Sequence, residues 1–252
     1  MAGKRKKLNI DDPTLWYLVG VITSDGCLSS DGRHIDITAK DGEYLEAIRK
    51  KAGLVCRVGT KNSSKNNRCH RLQISNVAFY EFLLSIGLSQ KKSLIQKEVA
   101  VPAEYFSDFC RGLIDGDGNI RRWIHPTNGR EQWVLRIYSA SQDFIVWLQK
   151  RIEEIFEVRG PVHREENSGN GIYILKYGKL AAAEILKACY YEEALALTRK
   201  ALLAKECVSS KKGWSKSKTT FAAGRVAEQG YARDLKSRDR KVMRVRFPPR
   251  PY

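Results

Sequence analysis

The chain is poor in histidine, lacks paired cysteines and has no long apolar run, and each shortage closes a class of function. Its six cysteines (Cys27, Cys56, Cys69, Cys110, Cys189 and Cys207) form no Cys-x-x-Cys pair, and none of the four histidines stands at ligand spacing from them, which argues against zinc. No apolar segment follows the basic Met1–Lys7 stretch, so no secretory signal is read and the thiols are expected to be reduced. The longest apolar stretch, Leu15 to Ile22, is far too short to span a bilayer. A soluble, intracellular protein with no membrane partner is therefore expected, in cytoplasm or organelle matrix.

Acidic residues are also scarce: 28 Asp and Glu face 45 Lys and Arg, a net charge of +17. A basic excess this large favours a polyanion, nucleic acid first. The excess is uneven. Ser209 to Tyr252 carries 13 basic and 3 acidic residues, so +10 sits in the tail and +7 in the preceding 208 residues, of which Lys4, Arg5, Lys6 and Lys7 supply +4. Any nucleic-acid face in the body must be a local concentration of charge. At 252 residues and 42% hydrophobic content, the chain can bury one large core or two smaller ones.

What is present is an internal repeat. Leu18-Val-Gly-Val-Ile-Thr-Ser-Asp-Gly26 and Cys110-Arg-Gly-Leu-Ile-Asp-Gly-Asp-Gly118 are both apolar helical segments with an internal Gly and a terminal Asp-Gly, and the two terminal aspartates lie 92 positions apart. Asp12 and Pro13 suit the N-cap and first position of the earlier helix; Ser107 or Asp108 could cap the later one.

After each motif the pattern switches to alternation. Ile35 and Ile37 alternate with His34, Asp36 and Thr38; Trp133, Leu135 and Ile137 alternate with Gln132, Val134, Arg136 and Tyr138. These read as strands buried on one face. Helices are expected over Gly42–Ala52 and Gln142–Phe156. Hairpins follow over Val55–Ser75 and Val162–Tyr177, around turns rich in Asn, Ser and Gly, and closing helices over Asn76–Ile86 and Lys179–Tyr190. Each half then shows a basic pair, Lys91-Lys92 and Arg199-Lys200. The order α-β-β-α-β-β-α occurs twice, giving an α+β fold with residues 1–10 as a basic arm, 11–100 and 101–208 as repeats, and 209–252 as a basic tail.

On these motifs the chain resembles the LAGLIDADG homing endonucleases in their monomeric, two-repeat form, over about Asp11 to Cys207. The second signature is near ideal from Gly112 onward; the first departs at Val19, Thr23 and Ser24. The resemblance implies two signature helices packed at a pseudo-two-fold axis, where Gly20 and Gly112 let backbones approach. It implies that Asp25 and Asp117 meet at the foot of that seam. Two carboxylates so close repel, and Mg²⁺ would relieve this, with the carbonyls of Ser24 and Gly116 completing its shell. One basic residue per repeat, Lys92 and Lys200 (or their neighbours Lys91 and Arg199), would orient water or stabilise charge. Asp115 is expected to cap or pair locally, because its counterpart Thr23 is not acidic, and Arg111 to face outward or to salt-bridge across the seam.

The same resemblance implies two four-stranded antiparallel sheets forming a saddle over the major groove of double-stranded DNA. The site would be on the order of 20 bp and pseudo-palindromic at best. Candidate DNA-contacting residues in the first repeat are Arg33, His34, Asp36, Arg57, Lys61, Lys65, Arg68, Arg71 and Gln73. In the second they are Arg121, Arg122, Arg130, Gln132, Arg136, Tyr138, Arg164 and Lys176. The implied activity is site-specific, metal-dependent phosphodiester hydrolysis by an intron-encoded mobile element. An intron RNA maturase and a noncatalytic DNA-binding regulator are the other functions such a scaffold allows; retention of both Asp25 and Asp117 speaks against the regulator.

The last 29 residues, Gly224 to Tyr252, read unlike a folding unit. They resemble an in-frame translation of a leucine transfer-RNA gene: Val245-Arg-Phe-Pro248 can be encoded by a T-arm, codons for Gly224-Arg-Val226 can pair with codons for Pro249-Arg-Pro251 as an acceptor stem, and codons for Asp234-Leu-Lys-Ser-Arg238 can form an anticodon stem-loop. The plainer alternative is a disordered tail that binds phosphates nonspecifically.

Overall fold

The computed structural model describes residues 9–62, 68–90, 95–166 and 171–210. Lys65, Lys91, Lys92, the Lys4–Lys7 run and the tail from residue 211 lie outside the described residues, as do both predicted Asn/Ser/Gly turns over most of their length.

Helix α1, Pro13–Asp25, starts where expected: the Asp12 side chain accepts from Thr14 N at 2.8 Å and Pro13 occupies the first turn. It is buried on all sides from Trp16 to Thr23. Strand β1, Gly26–Leu28, follows without a loop. A Cβ on Gly26 would lie 2.7 Å from Ile22 Cα, and one on Gly118 would lie 2.5 Å from Ile114 O. Glycine therefore lets each strand fold back against its own helix, which holds the preceding aspartate at the corner.

The first half continues with β2 (His34–Ala39), α2 (Gly42–Lys51), β3 (Val58–Asn62), β4 (Arg68–Ser75) and α3 (Val77–Ser85). Asp41 caps α2 through Tyr44 N, and Asn76 caps α3 through Phe79 N. The hairpin begins at Val58 rather than Val55, whose side chain is fully exposed; the segment before it carries no ladder bonds.

A 3₁₀ turn, Ala103–Tyr105, leads into α4, Phe106–Asp117. Neither Ser107 nor Asp108 caps this helix; Tyr105 stands at the cap position without a side-chain bond, and Asp108 is engaged with Arg111 instead. Then come β5 (Gly118–Ile124), β6 (Glu131–Ser139), α5 (Gln142–Phe156), β7 (Val162–Glu165), β8 (Ile172–Gly178), α6 (Lys179–Cys189) and α7 (Thr198–Ser209). Helix α7 was not expected from the sequence, where Arg199-Lys200 read as a bare basic pair.

The sheets have one topology: β1-β2-β4-β3 and β5-β6-β8-β7, antiparallel throughout. In register, Ile37 lies opposite Gly26 and Ile137 opposite Gly118, so the halves superimpose strand by strand. Ile35, Ile37, Leu72 and Ile74 of the first sheet and Trp133, Leu135, Ile137 and Leu175 of the second are buried in one continuous core with α1 and α4. Val134 departs from the simple alternation: it stands on the face opposite Trp133 and Leu135 yet is also buried. Among the described residues no helix is long and apolar enough to cross a membrane.

Candidate functional site

The two signature helices touch backbone to backbone. A Cβ on Gly20 would lie 2.2 Å from Phe109 O and 3.0 Å from Gly112 Cα; one on Gly112 would lie 2.3 Å from Tyr17 O. Any side chain at either position would force the helices apart. One turn further on, a Cβ on Gly116 would meet Ser24 Oγ at 2.0 Å and Asp25 Oδ2 at 3.1 Å. The Asp25 carboxylate thus lies against the last turn of α4, whose final residue is Asp117. The Ser24 hydroxyl is turned back onto Gly20 O and Val21 O of its own helix.

Lys200 secures the end of α4 from behind. Its buried ammonium donates to the carbonyls of Ile114 (2.5 Å), Asp115 (2.7 Å) and Gly116 (3.0 Å). A cation at a helix C-terminus is favourable because the last carbonyls have no intrahelical donors. Burial pushes the Lys200 pKa down to about 8, against the opposing pull of Asp115, Asp25 and Asp117, whose charges all reach it. Lys200 therefore braces the carboxylate-bearing corner, and the Gly116 carbonyl, expected to be a metal ligand, accepts from it. Its neighbour Arg199 is exposed.

Asp115 and Arg111 organise the rest of the seam, and both differ from expectation. Asp115 does not pair locally: its buried carboxylate accepts from Tyr17 OH of α1 (2.8 Å), Tyr190 OH (2.7 Å) and Leu197 N (2.8 Å). Desolvation raises its pKa while these bonds oppose the rise. Tyr17 in turn bonds Tyr44 of α2 at 2.8 Å. Arg111 faces inward and is 1% exposed. It donates to Leu195 O (2.8 Å), Cys189 O (2.7 Å) and Asp108 Oδ1 (2.7 Å), and its guanidinium lies 4.9 Å from the ring centroids of Tyr17 and Tyr191. It reaches across the seam by a cation–π contact rather than a salt bridge.

A cleft of about 300 Å³ opens beside Asp117, lined also by Thr23, Ser24, Gln96, Tyr138 and Ser139. Gln96 was not anticipated. Its Nε2 donates to Gly87 O and Lys97 O, which fixes the amide, and its buried Oε1 has no protein partner among the described residues. A lone linker glutamine carries no sequence signal that could have marked it. No cluster of three or more His, Cys, Asp or Glu is present among the described residues. The residues that could hold a divalent cation here are Asp25 and Asp117 with helix-end carbonyls, and such an all-oxygen set would suit Mg²⁺ if phosphate and water supplied the remainder.

Solved structures share this fold. No protein-family model and no curated protein matches the chain. Full-length DUF199/WhiA from Thermatoga maritima matches at 14% identity and a TM-score of 0.52, covering 94% of this chain and 71% of that one. The homing endonuclease I-DmoI, in complex with DNA and Ca, matches at 14% identity and 0.51, covering 79% of this chain and 100% of that one. The meganuclease I-SmaMI, bound to uncleavable DNA, matches at 13% and 0.51, covering 82% and 89%. The chain has the LAGLIDADG fold.

Each sheet has one face packed in the core with the helices and an opposite face that bears most of its polar side chains. His34, Asp36, Lys61, Arg71 and Gln73 stand on the open face of the first sheet, by the alternation that buries Ile35, Ile37, Leu72 and Ile74. His34 also contacts Asp31, and Arg33, just before β2, donates to Ser75 Oγ. Arg57 is exposed ahead of β3, and Arg68 is exposed but shares the parity of Leu72. In the second sheet Arg121, Gln132, Arg136, Tyr138 and Lys176 share the open face, and Arg130 is exposed in the β5–β6 turn.

Two more predicted contacts, like Arg68, have helix-side parity. Arg122 is in register with Trp133, lies 5.8 Å from its ring, and is ion-paired with Glu131 (3.5 Å) and Glu206 of α7 (3.6 Å). Arg164 is in register with Tyr173, 5.8 Å from its ring. Strand phase decides both: each shares the parity of core residues rather than of the polar row.

Proposed function

We propose that this chain is a site-specific double-strand DNA endonuclease. The observation that carries the reading is the twin helix ends, where Asp25 of one half lies against the last turn that delivers Asp117 of the other. Both carboxylates are exposed at the ends of their helices, and two like charges held near one another repel, which a divalent cation would relieve. Asp25, Asp117 and the Ser24 carbonyl would hold Mg²⁺, which when bound polarises phosphate and lowers the pKa of water. Lys200 keeps the α4 terminus rigid, and Gly20 and Gly112 set the spacing of the two acids. The open sheet faces, with Arg71 on one and Arg121, Arg136 and Lys176 on the other, would bind the duplex asymmetrically, because topologically equivalent positions differ in charge. The DNA-bound I-DmoI and I-SmaMI structures support a double-stranded partner.

A noncatalytic DNA-binding protein on the same scaffold is the second reading. The observation favouring it is that Lys200 already occupies the Gly116 carbonyl. The test is to select duplexes from a random library in Ca²⁺ and then incubate the bound sequences with Mg²⁺. Cleavage of both strands is expected, with Asp25→Asn and Asp117→Asn each binding normally and failing to cut. Binding by the wild-type chain without cleavage in Mg²⁺ would transfer the assignment to the second reading.

A further inference from the structure

At one pair of equivalent positions the open faces of the two sheets carry opposite charges. Register places Asp36 and Arg136 one residue before Ile37 and Ile137, which face Gly26 and Gly118 in their respective sheets. In the second sheet Arg136 stands opposite Lys176, cation beside cation. In the first, Asp36 stands opposite Gln73, and Arg71 reaches it diagonally. Arg71 Nε donates to Asp36 Oδ1 and Nη2 to Oδ2, each at 2.8 Å, with both side chains partly exposed.

This geometry uses the side edge of the guanidinium. Of its five N–H donors, two are taken by the carboxylate; one N–H of Nη1 and the second N–H of Nη2 point out from the far end, and the other Nη1 N–H lies beside the side-chain stem. The far end is a second fork. Guanine O6 and N7 in the major groove accept from such a fork, as no other base edge does. A lone acid facing a polyanion weakens binding. Paired with Arg71, it instead holds a side chain with several rotatable bonds in one orientation before the ligand arrives, which lowers the ordering cost of docking.

We propose that Arg71 reads a guanine through its end-on fork and that Asp36 is the residue that positions it. The inference rests on the DNA-binding part of the reading above and is independent of cleavage.

The test uses the full chain in Ca²⁺ with duplexes selected from a random library. The wild-type motif should hold one guanine whose replacement weakens binding roughly 5- to 100-fold. Arg71→Ala should abolish the preference at that position and leave the rest of the motif intact. Asp36→Asn, which removes a negative charge, should tighten binding to every duplex while shrinking discrimination at that base alone. Melting temperatures of both variants should stay near that of the wild type. If Asp36→Asn tightens binding equally for all four bases there, Asp36 positions nothing. If Arg71→Ala weakens all duplexes equally, Arg71 grips phosphate and the proposal fails. A chain that binds its selected duplex in Ca²⁺ and still fails to cut it when Mg²⁺ replaces Ca²⁺ defeats the nuclease reading alone. A chain that selects no duplex defeats the DNA-binding reading and this one with it.

Discussion

Gly20→Ala sets two effects against each other, and the structure decides the sign. Alanine in a helix interior is favoured over glycine by roughly 1 kcal/mol. The new methyl, however, would start 2.2 Å from Phe109 O and 3.0 Å from Gly112 Cα, where ordinary contact is 3.4–4 Å. Both obstacles are backbone of the facing helix and cannot rotate away, so α1 and α4 must separate by more than 1 Å. Overpacking of this kind costs about 1–3 kcal/mol, and backbone obstruction places it at the upper end. The net loss is about 2 kcal/mol, which for a unit of this size lowers the melting temperature by about 4–8 °C. Gly59→Ala is the control, since its Cβ would meet only Arg71 O at 4.0 Å; it should be neutral or slightly stabilising. Circular dichroism melts of both variants decide the matter. A Gly20→Ala melting temperature equal to or above that of the wild type would refute close backbone packing at the seam. Because Asp25 and Asp117 ride on those helices, cleavage should fall by about 100-fold as well.

Other residues give independent checks. Arg111→Met removes donors from Leu195 O and Cys189 O and leaves the buried Asp108 without its cation. Breaking a buried pair in this way costs about 3–5 kcal/mol; a loss under about 1 kcal/mol in urea unfolding would show that the network contributes little. Burial pushes the Cys207 thiol up to about 11 from 9.0, with Glu131 adding and Lys179 opposing. Its stabilising contribution is therefore complete below pH 9 and lost as pH rises to about 11. Cys207→Ala should flatten the alkaline decline in stability over that interval by up to about 2–3 kcal/mol; identical pH profiles for the two proteins would contradict the assignment.

Much of the architecture was legible because it depends on local periodicity. The Asp12-Pro13 start of α1, the span of α5 and the alternation in β2 follow from side-chain spacing within a few residues. The Asp-Gly ends of α1 and α4 were legible as well, since only glycine permits a strand to reverse against Ile22 or Ile114. Helix α7 was missed because Thr198–Ser209 has little apolar periodicity of its own; its N-terminal backbone is held by Asp115 through Leu197 N. Arg68, Arg122 and Arg164 take the parity of core residues, which the sequence did not reveal. One residue of phase moves a strand side chain to the opposite face, and the charge of arginine does not reveal the phase.

By itself the amino-acid order determined two similar halves, each ending a glycine-bearing apolar helix in an aspartate, because repetition and local steric rules are written along the chain. The tertiary structure alone decided what surrounds those aspartates. Lys200 reaches the end of α4 from 85 residues away along the chain, and Arg71 meets Asp36 across a sheet. Such pairings depend on which segments the fold stacks together, and no spacing within a segment encodes that choice.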